Sequence, residues 1–184
     1  MQLKTSVTRL ISDPDTRHHR WQPLNPARTS IPPAYRHWVT MPGSLTKALK
    51  ARSDQFRVQV LDQSHIYVSL PIEGFTEHSG PCACFSRKVL LMHGNTPWVA
   101  AHTLVPESSL RHGLRQLTRL EDKPLGELLF SSSDVRKDHE QVCQTDDSWG
   151  RRARYLLHQQ PLLVSEFFLP ALVDYEQNRA LTLY

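Results

Sequence analysis

The chain has 184 residues, of which 39% are hydrophobic and 22% are charged, a balance that suits one globular domain with a single core. No segment approaches the roughly 20 apolar residues that a bilayer-spanning helix needs, and the N-terminal residues lack the hydrophobic centre of a signal peptide. The formal net charge of +4 favours anionic partners, but the basic residues are scattered and form no continuous stripe, so a nucleic-acid binder is not indicated.

The cysteine content bears on the cellular compartment. Cys82, Cys84 and Cys143 are an odd number in a chain without an export signal, which fits reduced thiols better than a disulfide framework. We therefore expect a cytoplasmic protein without membrane insertion, and we expect a monomer.

The N-terminal segment is polar and contains several prolines, ending in NPARTSIPPAY. Prolines spaced in this way are typical of irregular segments. We predict an irregular N-terminal extension over residues 1–35, followed by one folded domain over residues 36–184.

The first regular elements of that domain are a short helix and two strands. Ser44 can cap a helix that runs to about Ala51. The segments FRVQVLDQ and HIYVSLPIEGF alternate between apolar and polar residues and carry many β-branched and aromatic side chains. Both are therefore predicted to be strands.

A β-hairpin is predicted next, in CFSRKVLLMHGNTPWVAAHTLVP, because two apolar runs flank a turn rich in Gly, Asn and Pro. Arg87 on its first strand and His102 on its second each share a strand face with apolar residues. The length of the turn leaves the register open, so the sequence does not decide whether these two faces coincide.

The remaining segments complete an alternation of strands and helices. SSLRHGLRQLTRL has leucines at helical spacing, and KPLGELLF starts with a proline that a first helical turn tolerates. DVRKDHEQVCQTDD is ambiguous, whereas WGRRARYLLHQQPLLVSEFFLP indicates a second hairpin with its turn around HQQP. The order predicts a single α+β domain with a central antiparallel sheet and flanking helices.

Glu166 stands out because it shares its strand face with the apolar Leu162, Val164 and Phe168. A carboxylate on such a face needs a cation or several hydrogen bonds, since unpaired burial of a charge is very costly. Two interpretations are open. Either Glu166 forms a buried ion pair with Arg87, or the two stand at opposite ends of a pocket for an anionic ring compound, with Arg87 binding a carboxylate and Glu166 accepting from a hydroxyl.

Several familiar kinds of site are absent from the sequence. It contains no GxSxG nucleophile elbow, no GxGxxG or phosphate-binding loop, and no HExxH zinc motif. Cys82 and Cys84 lie closer together than zinc ligands usually do, and no second pair follows them. We therefore expect no metal centre.

Four segments, in this order and spacing, resemble the chorismate pyruvate-lyase family: SRKVLLMHGNTPWVAAHTLVP, KPLGELLF, SWGRRARY and PLLVSEFFLP. The resemblance extends from about Pro33 to Phe168. It implies a central antiparallel sheet flanked by helices, with two flaps over an internal ligand pocket. It also implies cofactor-independent conversion of chorismate to 4-hydroxybenzoate and pyruvate, the first committed step of ubiquinone biosynthesis.

The resemblance implies a role for each candidate site residue. Arg87 would hold the ring carboxylate, Glu166 would meet the 4-hydroxyl, and Leu125 would help to close over the ring. Leu45 stands where the family commonly has methionine, a nearly volume-conserving difference. His102 stands where the family commonly has arginine, and if it faces the same pocket we expect it to supply a titratable second cation for the substrate.

An alternative function comes from a different class. Effector-binding domains of some bacterial transcription regulators are similar to this fold, so the chain is also interpreted as a non-catalytic small-ligand-binding module. Such regulators carry a helix-turn-helix domain, for which residues 1–35 are too short and too often interrupted by proline.

Overall fold

The computed structural model describes residues 7, 9–11, 19–69, 72, 75 and 80–182. Within them lies one antiparallel sheet with the strand order β1-β5-β6-β7-β4-β3-β2. The strands are β1 (Gln22–Pro23), β2 (Phe56–Val68), β3 (Cys82–His93), β4 (Thr96–Pro106), β5 (Val135–Gln144), β6 (Trp149–Leu157) and β7 (Gln160–Phe168). The α-helices are α1 (Leu24–Ala27), α2 (Pro33–Thr40), α3 (Leu45–Lys50), α4 (Glu107–Ser109), α5 (Leu125–Ser131) and α6 (Pro170–Thr182). The predicted α+β class with a central antiparallel sheet is confirmed.

Both predicted hairpins are present, β3 with β4 and β6 with β7. Over residues 56–68 the two strands predicted before them are instead one strand, β2, whose pairing with β3 shifts by one residue between Val60 and Asp62. A bulge of this kind bends a strand without ending it, which is why the sequence shows two alternating segments. Residues 70, 71, 73 and 74 of the second predicted strand lie outside the described residues. The ambiguous polar segment forms β5, and its partner along most of its length is β6.

Helix α3 confirms the helix predicted after Ser44, whose hydroxyl accepts a hydrogen bond from the amide of Lys47 at 3.3 Å. The helix predicted after Pro106 is less regular than its leucine spacing indicates. It consists of α4, a kinked stretch over Leu110–Leu114 in which the φ and ψ angles of His112 and Gly113 are not helical, and a 3-10 turn over Arg115–Arg119. Gly113, with φ of 126°, breaks the regular path between them.

Part of the segment predicted to be irregular is ordered and joins the fold. β1 pairs with β5, and Ile31 is completely buried in the core. The boundary placed between residues 35 and 36 falls inside α2, which starts at Pro33. Proline suits the first position of a helix because its fixed φ matches and its missing amide has no helical partner there, so the prolines that indicated irregular structure mark a helix start.

The sheet has two faces with different covers. The front face carries Arg87 and Glu166 and packs against α2, α3 and the helical stretch from α4 to α5. The back face carries His102 and packs against described residues of the N-terminal segment and of the connection that follows β2. No helix among the described residues is both long enough and apolar enough to cross a bilayer.

Candidate active site

The strand register determines which side chains meet on the front face. Ala101 on β4 is paired with Glu166 on β7, and two residues further along β4 Thr103 is paired with Arg87 on β3. Two strand spacings and two residues along a strand separate the Cα atoms of Arg87 and Glu166 by roughly 12 Å. The two charged groups therefore share a face without being neighbours, and the structure does not pair them with each other.

The partner of Glu166 is Arg151, the residue directly opposite on β6. Nε of Arg151 donates to Oε2 of Glu166 at 2.6 Å, and Nη1 donates to the carbonyl oxygens of Trp38 at 3.1 Å and Met41 at 3.2 Å. Burial is the largest single influence on the pKa of Arg151 and would lower it, but the charge of Glu166, its hydrogen bond and the smaller influences of Tyr155 and Glu140 together raise that pKa above its usual value. The pair fixes the carboxylate with one oxygen engaged, while Oε1 makes no hydrogen bond within the described part of the chain.

Arg87 is held from the other side of the cavity. Its Nη2 donates to the carbonyl oxygens of Glu121 at 2.8 Å and Lys123 at 3.0 Å, which lie in the loop before α5. Burial lowers the pKa of its guanidinium, opposed by the nearby charge of Asp122. Its Nε is buried and finds no acceptor among the residues described. Because a buried donor is costly to leave unpaired, this atom is suited to bind an acidic ligand.

A cavity lies between these two charged ends, and α3 and α5 border it. Leu45 and Leu125, at the first positions of the two helices, both line it. The helices approach closely because Gly126 has no side chain, and a Cβ there would lie 2.6 Å from Oγ1 of Thr46. A salt bridge from Lys50 to Glu127 joins them at the surface.

His102 does not belong to this cavity, and the prediction that it could supply a second cation there is not supported. It pairs with Lys88 across the hairpin and lies on the back face, where Nε2 is 2.9 Å from Oγ of Ser86. Burial, and secondly the charge of Lys88, lower its pKa to about 3. His102 is therefore a neutral buried histidine.

His102 lies on the back face because the hairpin of β3 and β4 contains one extra residue. His93 pairs with Thr96 at the turn, and continuing that register would place Arg87 opposite His102. The register instead shifts by one between Met92 and Leu91, which moves every later side chain of β4 to the other face.

Arg151 is the site residue that sequence reasoning missed, although a signal for it exists. It lies in RRAR (residues 151–154), a short basic cluster of the kind that usually indicates a solvated surface. The second hairpin turns through His158 and Gln159 alone, so Leu157 pairs with Gln160 and an unbroken ladder brings Arg151 opposite Glu166. A two-residue turn assumed for HQQP predicts this pair directly.

A metal site requires several ligand side chains that lie close together. Within the described residues, no group of three or more His, Cys, Asp and Glu side chains is arranged to hold a metal ion. Cys82 and Cys84 lie close together, with 3.7 Å between their sulfur atoms, but they are on the back face of β3, away from the cavity.

Comparisons with known proteins give a consistent result. A family model described as "Chorismate lyase" matches residues 17–179. "Probable chorismate pyruvate-lyase" of Shewanella loihica is 36% identical, over 90% of this chain and 94% of the relative. Relatives of the same printed name from Shewanella amazonensis and Photobacterium profundum are 38% and 34% identical, covering 77% and 79% of this chain and 82% and 83% of their own lengths.

Proposed function

This chain belongs to the chorismate lyase family, and from that premise we propose that it removes pyruvate from chorismate and releases 4-hydroxybenzoate. The observation that carries the proposal is the arrangement of charges in one cavity, with Arg87 at one end and Glu166, paired with Arg151, at the other. Chorismate carries a carboxylate and a hydroxyl on opposite ends of its ring. The carboxylate can bind the cation of Arg87, and the hydroxyl can donate to the carboxylate of Glu166.

In the proposed complex the ring carboxylate accepts a hydrogen bond from Nε of Arg87, the buried donor without a protein acceptor in the described chain. Such charge-assisted bonds are about twice as strong as neutral ones. The 4-hydroxyl donates to Oε1 of Glu166, since an ionised carboxylate accepts but does not donate. Leu45 and Leu125 cover the apolar ring and keep water away from it.

The reaction breaks the C3–O bond of the enolpyruvyl ether and removes the hydrogen at C4. That hydrogen ends on the methyl carbon of pyruvate, and the ring becomes aromatic, which makes the elimination strongly downhill. The proposed task of the protein is to select and orient one conformer of the substrate and to stabilise the leaving enolpyruvate electrostatically. Electrons are neither gained nor lost overall, so the proposal includes no redox cofactor.

We further propose the setting of this activity. The 4-hydroxybenzoate formed would supply the ring of ubiquinone, and the protein would work in the cytoplasm. We also propose that the protein acts as a monomer.

Incubation of the purified protein with chorismate tests the proposal. We expect 4-hydroxybenzoate and pyruvate to appear in equal amounts, and we expect Glu166→Gln to slow both together. A wild-type protein that forms neither product overturns the proposal. The non-catalytic alternative, which the family match does not favour, predicts binding of 4-hydroxybenzoate without any turnover of chorismate.

A further inference from the structure

Tyr155 is a buried residue whose hydroxyl the proposed binding scheme leaves unused. Tyr155 lies on the front face of β6 and is 6% exposed, with its ring in the core cluster beneath the helical stretch from α4 to α5. It lines the same cavity as Glu166 and Arg151. In the part of the chain that the structure describes, no group is hydrogen-bonded to its hydroxyl, and this oxygen is not one of the completely buried unpaired atoms, which are Nε1 of Trp21 and Nε of Arg87.

Two other tyrosines show the usual arrangement. The hydroxyl of Tyr175 donates to the carbonyl oxygen of Arg52 at 2.8 Å, and that of Tyr35 donates to the carbonyl oxygen of Asp147 at 3.1 Å. Buried tyrosines normally have such a partner, because desolvating a phenol without one is unfavourable. A phenol without a protein partner on a cavity surface is therefore available to a ligand.

The electrostatic surroundings keep this hydroxyl protonated. Burial, and then the negative charge of Glu166, raise the pKa of Tyr155 above its usual value, while Arg151 opposes the shift. Tyr155 is thus a neutral hydrogen-bond donor in the cavity that also contains the carboxylate of Glu166.

We propose that Tyr155 is a substrate-binding residue that donates to the oxygen of the ligand's para hydroxyl, while that hydroxyl donates to Glu166. This inference rests on the proposed function and deepens it. A hydroxyl has one hydrogen and two lone pairs, so a bond to Glu166 uses the hydrogen and leaves both lone pairs without a donor. Nε and Nη1 of Arg151 already donate to protein oxygens. Tyr155 then makes the site select rings that carry a para oxygen over rings that lack one.

Tyr155→Phe tests this with the loss of a single oxygen atom. Dissociation constants of 4-hydroxybenzoate and of benzoate are measured by titration calorimetry for wild type and variant. We expect 4-hydroxybenzoate to bind about 3- to 10-fold more weakly to the variant, the effect of one neutral hydrogen bond. Benzoate, which lacks the para hydroxyl, should change by less than about twofold, because the lost bond is never made with it.

Tyr175→Phe is the matched control. It removes a hydroxyl that is bonded within the protein and lies outside the cavity. We expect it to lower the thermal midpoint and leave the affinity for both ligands unchanged, whereas Tyr155→Phe should not lower the midpoint.

Two outcomes overturn the inference while the proposed function stands. In both, wild type binds 4-hydroxybenzoate and converts chorismate. If Tyr155→Phe has no effect on either ligand, the lone pairs are served by another donor, such as Nη2 of Arg151. If it weakens both ligands equally, Tyr155 only shapes the cavity. A wild-type protein that neither binds 4-hydroxybenzoate nor converts chorismate overturns both proposals together.

Discussion

At the scale of single residues, the carboxylate of Glu166 and the guanidinium of Arg151 depend on each other. Both lie in the sheet interior, and each side chain is largely removed from water. The position of Glu166 on an apolar strand face is sufficient to predict that this carboxylate needs a partner. The identity of the partner required the pairing of β6 with β7, which is a property of the turn and not of either strand.

Replacing Arg151 with Met should destabilise the protein by about 3–5 kcal/mol, because it leaves a buried carboxylate without its cation. The free energy of unfolding from urea denaturation measures this. Arg154→Met is the matched control on the same strand. Its partner Asp138 is considerably more exposed, so we expect a loss of at most about 1 kcal/mol.

The double variant Arg151→Met with Glu166→Met should recover part of the lost stability, since it removes both charges from the interior. Equal effects of Arg151→Met and Arg154→Met would contradict the interpretation of Arg151 and Glu166 as a buried ion pair.

His102 should control the acid stability of the fold rather than substrate binding. Its folded-state pKa of about 3 lies below the usual 6.5, so the unfolded chain takes up a proton that the native state does not. Stability is therefore complete above pH 6.5 and is lost as the pH falls from 6.5 towards 3. The charges nearest to His102 are Lys88, which lowers its pKa further, and Asp62, which opposes that effect.

Between pH 7 and pH 5 this proton uptake should cost wild type about 2 kcal/mol of unfolding free energy. The His102→Gln variant cannot take up this proton. Between pH 7 and pH 5 its free energy of unfolding should therefore fall by about 2 kcal/mol less than that of wild type. His37→Gln, at an exposed position, is the control and should follow the wild-type curve. Parallel curves for His102→Gln and wild type would contradict a neutral buried histidine.

At the scale of elements, the two hairpins show what a sequence can and cannot specify. Alternation and turn residues predict both hairpins, and the second turn is short enough to fix its register. In the first hairpin Trp98 is the extra residue between the pairs Met92 with Pro97 and Leu91 with Val99. Nothing in the alternation of apolar residues marks that position, because the residues on both faces of β4 are buried. The sequence therefore predicts that His102 lies in the hairpin, but it does not predict on which face of the sheet His102 lies.

The elements that cover the cavity should respond to ligand. α3 and α5 contact each other through Gly126 and Thr46 and through the salt bridge of Lys50 with Glu127. The loop before α5 is held by Arg87, so a ligand on Arg87 also affects this cover. We predict that 4-hydroxybenzoate slows amide hydrogen exchange at residues 43–50 and 122–128.

Strand β5 is the internal reference for that experiment, since it lies near the edge of the sheet and none of its residues lines the cavity. Exchange in β5 should change little. If residues 43–50 and 122–128 also exchange at unchanged rates, the two segments do not act as covering flaps.

At the scale of the whole molecule, the sheet separates two environments. The front face combines small side chains such as Ala101 and Ala153 with the charged residues of the cavity. The back face is covered by residues from near the N-terminus, including Ile11. The α+β class follows from the order of elements, and this can be inferred from sequence. That the N-terminal segment covers one face could not be inferred, because it depends on contacts between residues far apart in the chain.

The central claim is that substrate binds on the front face, between Arg87 and Glu166. The most direct measurement compares variants on the two faces of the same sheet by their affinity for 4-hydroxybenzoate. Arg87→Ala should lose a charged hydrogen bond worth about 1.5–3 kcal/mol, which corresponds to a roughly 10- to 150-fold weaker complex. His102→Gln, one strand away but on the back face, should bind within about twofold of wild type. Tight binding by Arg87→Ala, or an equal loss in His102→Gln, would contradict the placement of the site.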